Sequence, residues 1–165
     1  MALEIERKYL IKIPDLEKIE RSFEVKKYTI IQTYLESSGR EERRVRKRSC
    51  DDVTEYFYTE KVFLTSVSRI ENEKIITKSE YESFLLDKKK DTPPVEKIRY
   101  VIPWEDHFVE IDIYSFSDDY CTAEIELKDE NDSVQLPPFL EVIKEVTGIK
   151  EYSNSHIAKN RKIGI

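Results

Sequence analysis

Charged side chains recur at every second position in six stretches of this sequence: Glu4-x-Glu6-x-Lys8, Arg44-x-Arg46, Arg69-x-Glu71-x-Glu73, Lys97-x-Arg99, Glu110-x-Asp112 and Glu124-x-Glu126-x-Lys128. Lys61 adds one charge from a seventh stretch. In an extended chain, side chains two apart point the same way, so each stretch presents a charged stripe. The intervening positions are often apolar, as at Ile5, Val45, Ile98, Ile111 and Ile125. An antiparallel sheet wetted on one side also shows such alternation, and outward charges need no function. Here, however, the signs segregate: Arg44/Arg46 and Lys97/Arg99 are basic, Glu110/Asp112 and Glu124/Glu126 acidic. Turned inward by closure of the sheet, the stripes would line a cavity with cations on some walls and carboxylates on others. Guanidinium and ammonium groups neutralise phosphate oxygens through charge-assisted hydrogen bonds. Paired carboxylates hold hard divalent cations through oxygen. Mg²⁺ or Mn²⁺ can then bridge the carboxylates and a polyphosphate, an arrangement suited to phosphoryl transfer.

The elements that must position these groups are mostly strands. Alternation predicts strands at 3–11, 28–35, 43–48, 55–64, 68–76, 95–102, 108–114 and 121–128, with a hairpin turn at Trp104-Glu105-Asp106-His107. Pro14-Asp15 opens a short helix with Leu16, Ile19 and Phe23 on its apolar face. Ser79 is placed to cap a second helix through Leu86, with Glu82 completing a capping box. Pro137-Pro138 is expected to open a third, with Phe139, Leu140, Ile143 and Val146 at helical spacing and Gly148 at its end. A last short helix follows Ser153 or Ser155. The pattern reads as an α+β fold that can close as an antiparallel barrel, one domain over residues 1–165.

Composition excludes several alternatives. The chain has 165 residues, 39% hydrophobic and 38% charged; ten Tyr, seven Phe and one Trp speak against disorder. Only three glycines are present, so there is no glycine-rich phosphate loop. No apolar run reaches membrane-spanning length, and no secretory leader opens the chain. The net charge of -6 disfavours general adhesion to nucleic acid or to an anionic membrane. Six basic side chains nonetheless crowd residues 40–48. Cys50, in a polar loop, and Cys121, at a strand start, match no zinc or disulfide pattern, which makes a reducing cytoplasm the expected compartment. His107, in the expected turn, and His156 are the only histidines, so a histidine metal site, or Ser-His-Asp chemistry with its placed base and orienting acid, is not expected.

The motifs resemble, in order and nearly end to end, those of the CYTH superfamily, the triphosphate tunnel metalloenzymes. Glu4-Ile5-Glu6-Arg7-Lys8 resembles its ExExK signature, Gln32-x-Tyr34-Leu35 its QxYL strand, Arg44-Val45-Arg46 its RxR strand and Thr59-x-Lys61 its TxK strand. Arg69-x-Glu71-x-Glu73, Glu96-Lys97-Ile98-Arg99-Tyr100, Glu110-Ile111-Asp112 and Ala123-Glu124-Ile125-Glu126-Leu127 follow in family order, and Tyr152-x-Asn154-x-x-Ile157-Ala158 resembles the closing segment. The resemblance implies an eight-stranded antiparallel tunnel with helices outside and a metal-dependent enzyme, monomeric or homodimeric, acting on tripolyphosphate, ATP or thiamine triphosphate. It implies Glu4, Glu6 and Glu126 as metal ligands, with Glu110, Asp112 and Glu124 direct or water-mediated helpers. Glu71 and Glu73 would support a second metal or hold basic side chains. Lys8, Arg44, Arg46, Lys61, Lys97 and Arg99 would grip the phosphates, joined by Arg69. Tyr34 would orient a basic residue or the terminal phosphate. The small prokaryotic tripolyphosphatase branch is the expected placement. A class IV adenylate cyclase or thiamine triphosphatase on the same tunnel is the alternative, and outside enzymes a polyphosphate- or RNA-binding module. Gly148 departs from the Asp that often follows Val-Thr in the family, Lys128 matches no fixed position, and Lys47 or Arg48 can simply face solvent.

Overall fold

The computed structural model describes residues 2–65 and 68–165. In chain order it contains β1 (Ala2–Lys12), α1 (Leu16–Ser22), β2 (Lys26–Leu35), β3 (Glu41–Cys50), β4 (Val53–Phe63), β5 (Ser68–Ile76), α2 (Lys78–Phe84), β6 (Val95–Trp104), β7 (His107–Tyr114), β8 (Tyr120–Glu126), β9 (Val142–Glu145) and α3 (Asn154–Asn160). Short 3₁₀ turns occupy Leu85–Asp87 and Lys150–Tyr152. Around the sheet the strands run β5-β4-β3-β2-β6-β7-β8-β1, and β5 pairs back onto β1. Eight antiparallel strands thereby close into a barrel, with β9 as an added ninth.

Strand β1 is the seam. Its residues Ala2–Ile5 pair with β5, Glu6–Lys12 with β8, and Tyr9–Ile11 with β9. Strands β5 and β9 thus follow one another along a single edge of β1, with Glu6 to Lys8 between them. That interval is bridged by the 146–147 segment. The Lys8 amide donates to Thr147 Oγ1 at 2.9 Å, and the Val146 amide donates to the Lys8 carbonyl at 2.8 Å.

The outer face of the barrel holds the apolar residues. Tyr9, Ile11, Tyr100, Ile102, Val109, Ile111, Ala123 and Ile125 pack with Ile19 of α1 and with Leu140. Leu35, Val45, Tyr58 and Ile76 pack with Tyr81 of α2. Fully burying one such side chain contributes about 1.5–3 kcal/mol, so stability is supplied from outside the barrel. Tight two-residue turns join β3 to β4 and β6 to β7. Each begins on an acidic residue in the left-handed region, Asp51 at φ 55° and Glu105 at φ 53°. No helix among the described residues is long and apolar enough to cross a membrane.

Two helix expectations are corrected. Residues 137–146 do not form a helix. The Leu140 amide closes a turn onto the Pro137 carbonyl, and Val142–Glu145 form β9. The exposed edge of β1 offers unpaired backbone groups, and pairing with them outweighs a weak helical spacing. β-branched Val142 and Ile143 suit a strand in any case. The second helix is capped two residues before the expected Ser79. Thr77 accepts from the Glu80 amide and Glu80 accepts from the Thr77 amide, a reciprocal capping box in place of Ser79 and Glu82. Helix α1 is capped by Asp15, which accepts from the Lys18 amide, and α3 by Ser153. Cys50 ends β3 and does not sit in a loop.

Candidate functional site

Residues directly paired in an antiparallel ladder share a face. Glu4 pairs with Arg69, Glu6 with Glu126 and Lys8 with Glu124. Glu124 pairs with Glu110, Asp112 with Arg99, and Arg44 with Thr59. Lys61 pairs with both Glu42 and Glu71, and Thr59 with Glu73. The stripes seen in the sequence are therefore one continuous surface. It is the inner surface, because the opposite face carries the apolar clusters. Lys8, Arg44, Arg46, Lys61, Lys97, Asp112 and Glu124 are only 2–7% exposed. The carboxylates concentrate on β1, β8 and β7, the cations on β6, β3 and β4, and β5 contributes both signs.

The inner groups bind one another. Lys97 Nζ lies 2.7 Å from Asp112 Oδ2, and Arg99 donates to both oxygens of Asp112 at 2.7 and 2.9 Å while reaching Glu110 at 2.7 Å. Arg69 meets Glu6 at 2.9 Å and Glu71 at 3.6 Å. Arg44 and Lys61 flank Glu71 at 3.8 and 3.9 Å. Arg46 and the Thr59 hydroxyl both donate to Glu73, at 2.7 and 3.0 Å. Lys8 Nζ stands 3.4 Å from Glu124 and donates to Asn154 Oδ1 at 3.0 Å. The pairing is incomplete: Nε of Arg44 and Arg46 are buried with no hydrogen-bond partner, while Nε of Arg69 and Oε1 of Glu124 have only the ion-pair contacts to Glu71 and Lys8. Each such orphan costs about 1–3 kcal/mol or more.

This crowding moves the proton affinities. Burial, with Arg99 beside it, pushes Lys97 down to about 7 against the pull of Asp112. Burial, with Arg44 and Arg69, lowers Lys61 to about 8. Arg46 falls to about 10 through burial and the neighbouring Arg44 and Arg99. Burial would raise Asp112, but Arg99 and Lys97 hold it far below the usual carboxylate range. Burial likewise opposes Glu124, yet Lys8, Arg99 and Lys97 bring it to about 2. On the acidic wall the outcome reverses. Burial, then the charges of Glu71 and Glu126, push Glu4 up to about 7; burial, then Glu124, do the same to Glu6.

The expected site residues divide into three groups. Lys8, Arg44, Arg46, Lys61, Arg69, Lys97, Arg99, Glu6, Glu71, Asp112, Glu124 and Glu110 lie together on the inner surface. Glu4, Glu73 and Glu126 share that face at its open margin, Glu73 and Glu126 being exposed. Tyr34 is 2% exposed at the other end, beneath Ile157 and Ala158 of α3, where its hydroxyl accepts from Gln32 Nε2 at 2.9 Å.

Several inner residues escaped the sequence reading. Glu42 was visible in principle, two positions before Arg44 on the same stripe. Arg48 does not face solvent: its guanidinium is held between the rings of Tyr28 and Phe57, 4.6 Å from each, which only the fold brings together. Asn154 accepts from Lys8 and, at 3.1 Å, from the Tyr114 hydroxyl, so the closing segment fixes a tunnel lysine. His107 bonds Asp132 at 2.8 Å on the rim. Gly148, the departure from the family pattern, has φ 71°, a conformation that costs glycine nothing. Lys128 stands exposed at the margin near Glu126.

The inner surface opens at both ends. Toward α3, a cavity of about 320 Å³ is bounded by Glu6, Lys8, Glu42, Lys61 and Arg69 and by residues 146–155. At the other end a cleft of about 570 Å³ reaches Glu110, Glu126, Arg99 and Arg48. The acidic wall fits a hard divalent cation in kind and in charge: Glu4 and Glu6 lie among other carboxylates, and Glu124 Oε1 has no hydrogen bond, only the ion pair with Lys8. As the side chains stand, no three carboxylates among the described residues converge on one point. Arg69 draws Glu6 aside, and Asp112 is committed to Lys97 and Arg99. Mg²⁺ needs only one or two carboxylates when waters and phosphates complete its shell.

Comparison with protein-family profiles and with curated proteins finds no match. Solved structures do match. The inorganic triphosphatase NE1496 superposes with a TM-score of 0.60 at 28% identity, over 96% of this chain and 96% of that one. The PH1819 protein of Pyrococcus horikoshii OT3 has a TM-score of 0.61 at 22% identity, over 77% of this chain and 80% of that one. HpAC1 from Hippeastrum, named for adenylyl cyclase and noted for a dominant triphosphatase activity, has a TM-score of 0.54 at 14% identity, over 76% and 80%. The last two speak to the fold alone. The closed barrel and these neighbours together show that the chain shares the fold of the inorganic triphosphatase NE1496, the tunnel that the resemblance to the CYTH superfamily implied.

Proposed function

We propose that the protein is a divalent-metal-dependent hydrolase that releases orthophosphate from tripolyphosphate or a related triphosphate inside the barrel. The observation that carries this reading is the buried basic wall in which the Nε atoms of Arg44 and Arg46 have no hydrogen-bond partner. Donors in that state await oxygen acceptors, and a chain of phosphates supplies them in a row. Arg44, Arg46, Lys61, Lys97 and Arg99 grip the phosphates from one side, with Lys8 and Arg69 closing from the seam. Glu4, Glu6 and Glu126 would hold the cation, with Glu110, Asp112 and Glu124 nearby. When bound, Mg²⁺ or Mn²⁺ supplies charge neutralisation at the phosphate oxygens and a polarised water. Glu71 spaces Arg44, Lys61 and Arg69, and Glu73 orients Arg46, so the cations keep separate directions. The similarity to an inorganic triphosphatase supports the hydrolase over the cyclase alternative.

The test is orthophosphate release from tripolyphosphate, pyrophosphate, ATP and thiamine triphosphate, with cyclic AMP assayed in the ATP reaction. Release should stop with a chelator and return with Mg²⁺ or Mn²⁺; chelator-resistant turnover would refute the metal role. The acidic wall adds a sign. Below about pH 7 Glu4 and Glu6 take up protons that a cation must displace, so the apparent metal affinity should rise from about pH 6 to about pH 8. A pH-independent metal requirement would count against these two ligands.

A further inference from the structure

The two ends of the tunnel differ in charge. Toward α3, the inner cavity passes Lys150, Ser153 and Ser155 into a surface groove of about 340 Å³ that shares those three residues. The groove is lined by Lys89, Lys150, His156 and Lys159 and by no carboxylate, on a chain with 34 acidic residues against 28 basic. Lys159 meets Asp91 at 3.1 Å, but both are more than half exposed, so the ammonium is not withdrawn by that pair. The opposite cleft balances Arg48, Arg99 and Lys128 against Asp106, Glu110 and Glu126. A long polyanion therefore finds a mainly cationic groove at this mouth, with Asp91 beside Lys159 and Lys89, and the groove adjoins the inner cavity through Lys150, Ser153 and Ser155.

We propose that this groove is an outer binding site for the tail of a linear inorganic polyphosphate longer than three units, whose leading end occupies the tunnel. The inference rests on the hydrolase reading and extends it to the substrate class. With the tail held outside, water attacks the terminal phosphorus. The bond from that phosphorus to the bridging oxygen breaks, and the electron pair stays on the shortened chain. The water oxygen leaves in orthophosphate, and its protons pass to the products and solvent. The chain is thus consumed from one end. An RNA carrying a 5′-triphosphate would need ring faces for its bases. The groove offers none beyond His156, since its other ring, Tyr34, is 2% exposed.

The test compares tripolyphosphate with a size-fractionated long polyphosphate, using the doubly substituted Lys89→Ala/Lys159→Ala protein. Neither residue borders the inner cavity, and neither is assigned to the phosphate grip. For the long chain kcat/KM should fall about tenfold, through KM, while tripolyphosphate turnover is unchanged. Lys89→Glu/Lys159→Glu should deepen the loss, and added salt should erase the long chain's advantage in the unaltered protein. Equal losses on both substrates, or none on the long chain, would overturn the proposal. So would a loss confined to 5′-triphosphorylated RNA. Failure of the unaltered protein to release orthophosphate from tripolyphosphate would instead sink the hydrolase reading. Calorimetric binding of the long chain, with a chelator present, then still decides the groove: lysine-dependent binding supports it, lysine-independent binding refutes it.

Discussion

At the scale of single residues, parity along a strand separates function from surface. Arg46 is 6% exposed on the inner face, while Lys47 beside it points outward. Arg46→Ala should lower kcat/KM for tripolyphosphate by about tenfold to a hundredfold, the scale of a charge-assisted hydrogen bond. Lys47→Ala should leave it unchanged; equal effects in the two purified variants would count against the assigned roles. Spacing alone sorted these two correctly. The same parity puts Arg48 on the inner stripe, although it was expected to be free to face solvent; the rings that hold it come from β2 and β4, and only pairing brings them to it. Asn154 was quoted as part of a closing motif with no role; its contact with Lys8 spans 146 positions of sequence. The charged site was legible because β periodicity is local. Its supporting contacts are long-range and were not.

At the scale of elements, all eight barrel strands were readable from alternation, with most ends extended by a residue or two, while β4 and β8 stop one and two residues short of expectation. The helices were less secure. Thr77 caps α2, whose Tyr81 packs on the outer apolar cluster against Tyr58 and Ile76. Thr77→Ala should therefore destabilise the fold by about 1 kcal/mol in urea unfolding. Ser79→Ala should do so by much less, because the cap lies two residues upstream; a reversed ranking would contradict the capping box. The segment around 137–146 misled because Phe139, Leu140, Ile143 and Val146 are apolar at helical spacing, yet each is used separately. Phe139 packs edge-on to Phe23 at 5.3 Å, Leu140 joins the outer core, and residues 142–145 pair with β1.

At the scale of the whole molecule, the barrel inverts the usual arrangement. Hydrocarbon lies outside the sheet under short helices, and the enclosed space is ionic. Concentrating so many charges is costly unless they are paired, and the orphaned nitrogens show that pairing is unfinished. Filling the tunnel should therefore stabilise the fold. Mg²⁺ and tripolyphosphate together, at about a hundredfold excess over Kd, should raise Tm by roughly 5–10 °C. Either alone should do less, because cation and anion neutralise opposite walls. Equal shifts from each component singly would argue against their binding together.

The placement of β1 has a consequence for biosynthesis. Strand β1 precedes its three partners in the chain and meets them in succession: β5, then β8, then β9. At about 5–20 residues per second, β1 waits several seconds for the last of them. Until β8 arrives the nascent sheet is an open ribbon with an unsatisfied edge, and the ionic interior is still washed by solvent. The channel comes into being only when β8 pairs with β1 and joins the two edges of the sheet.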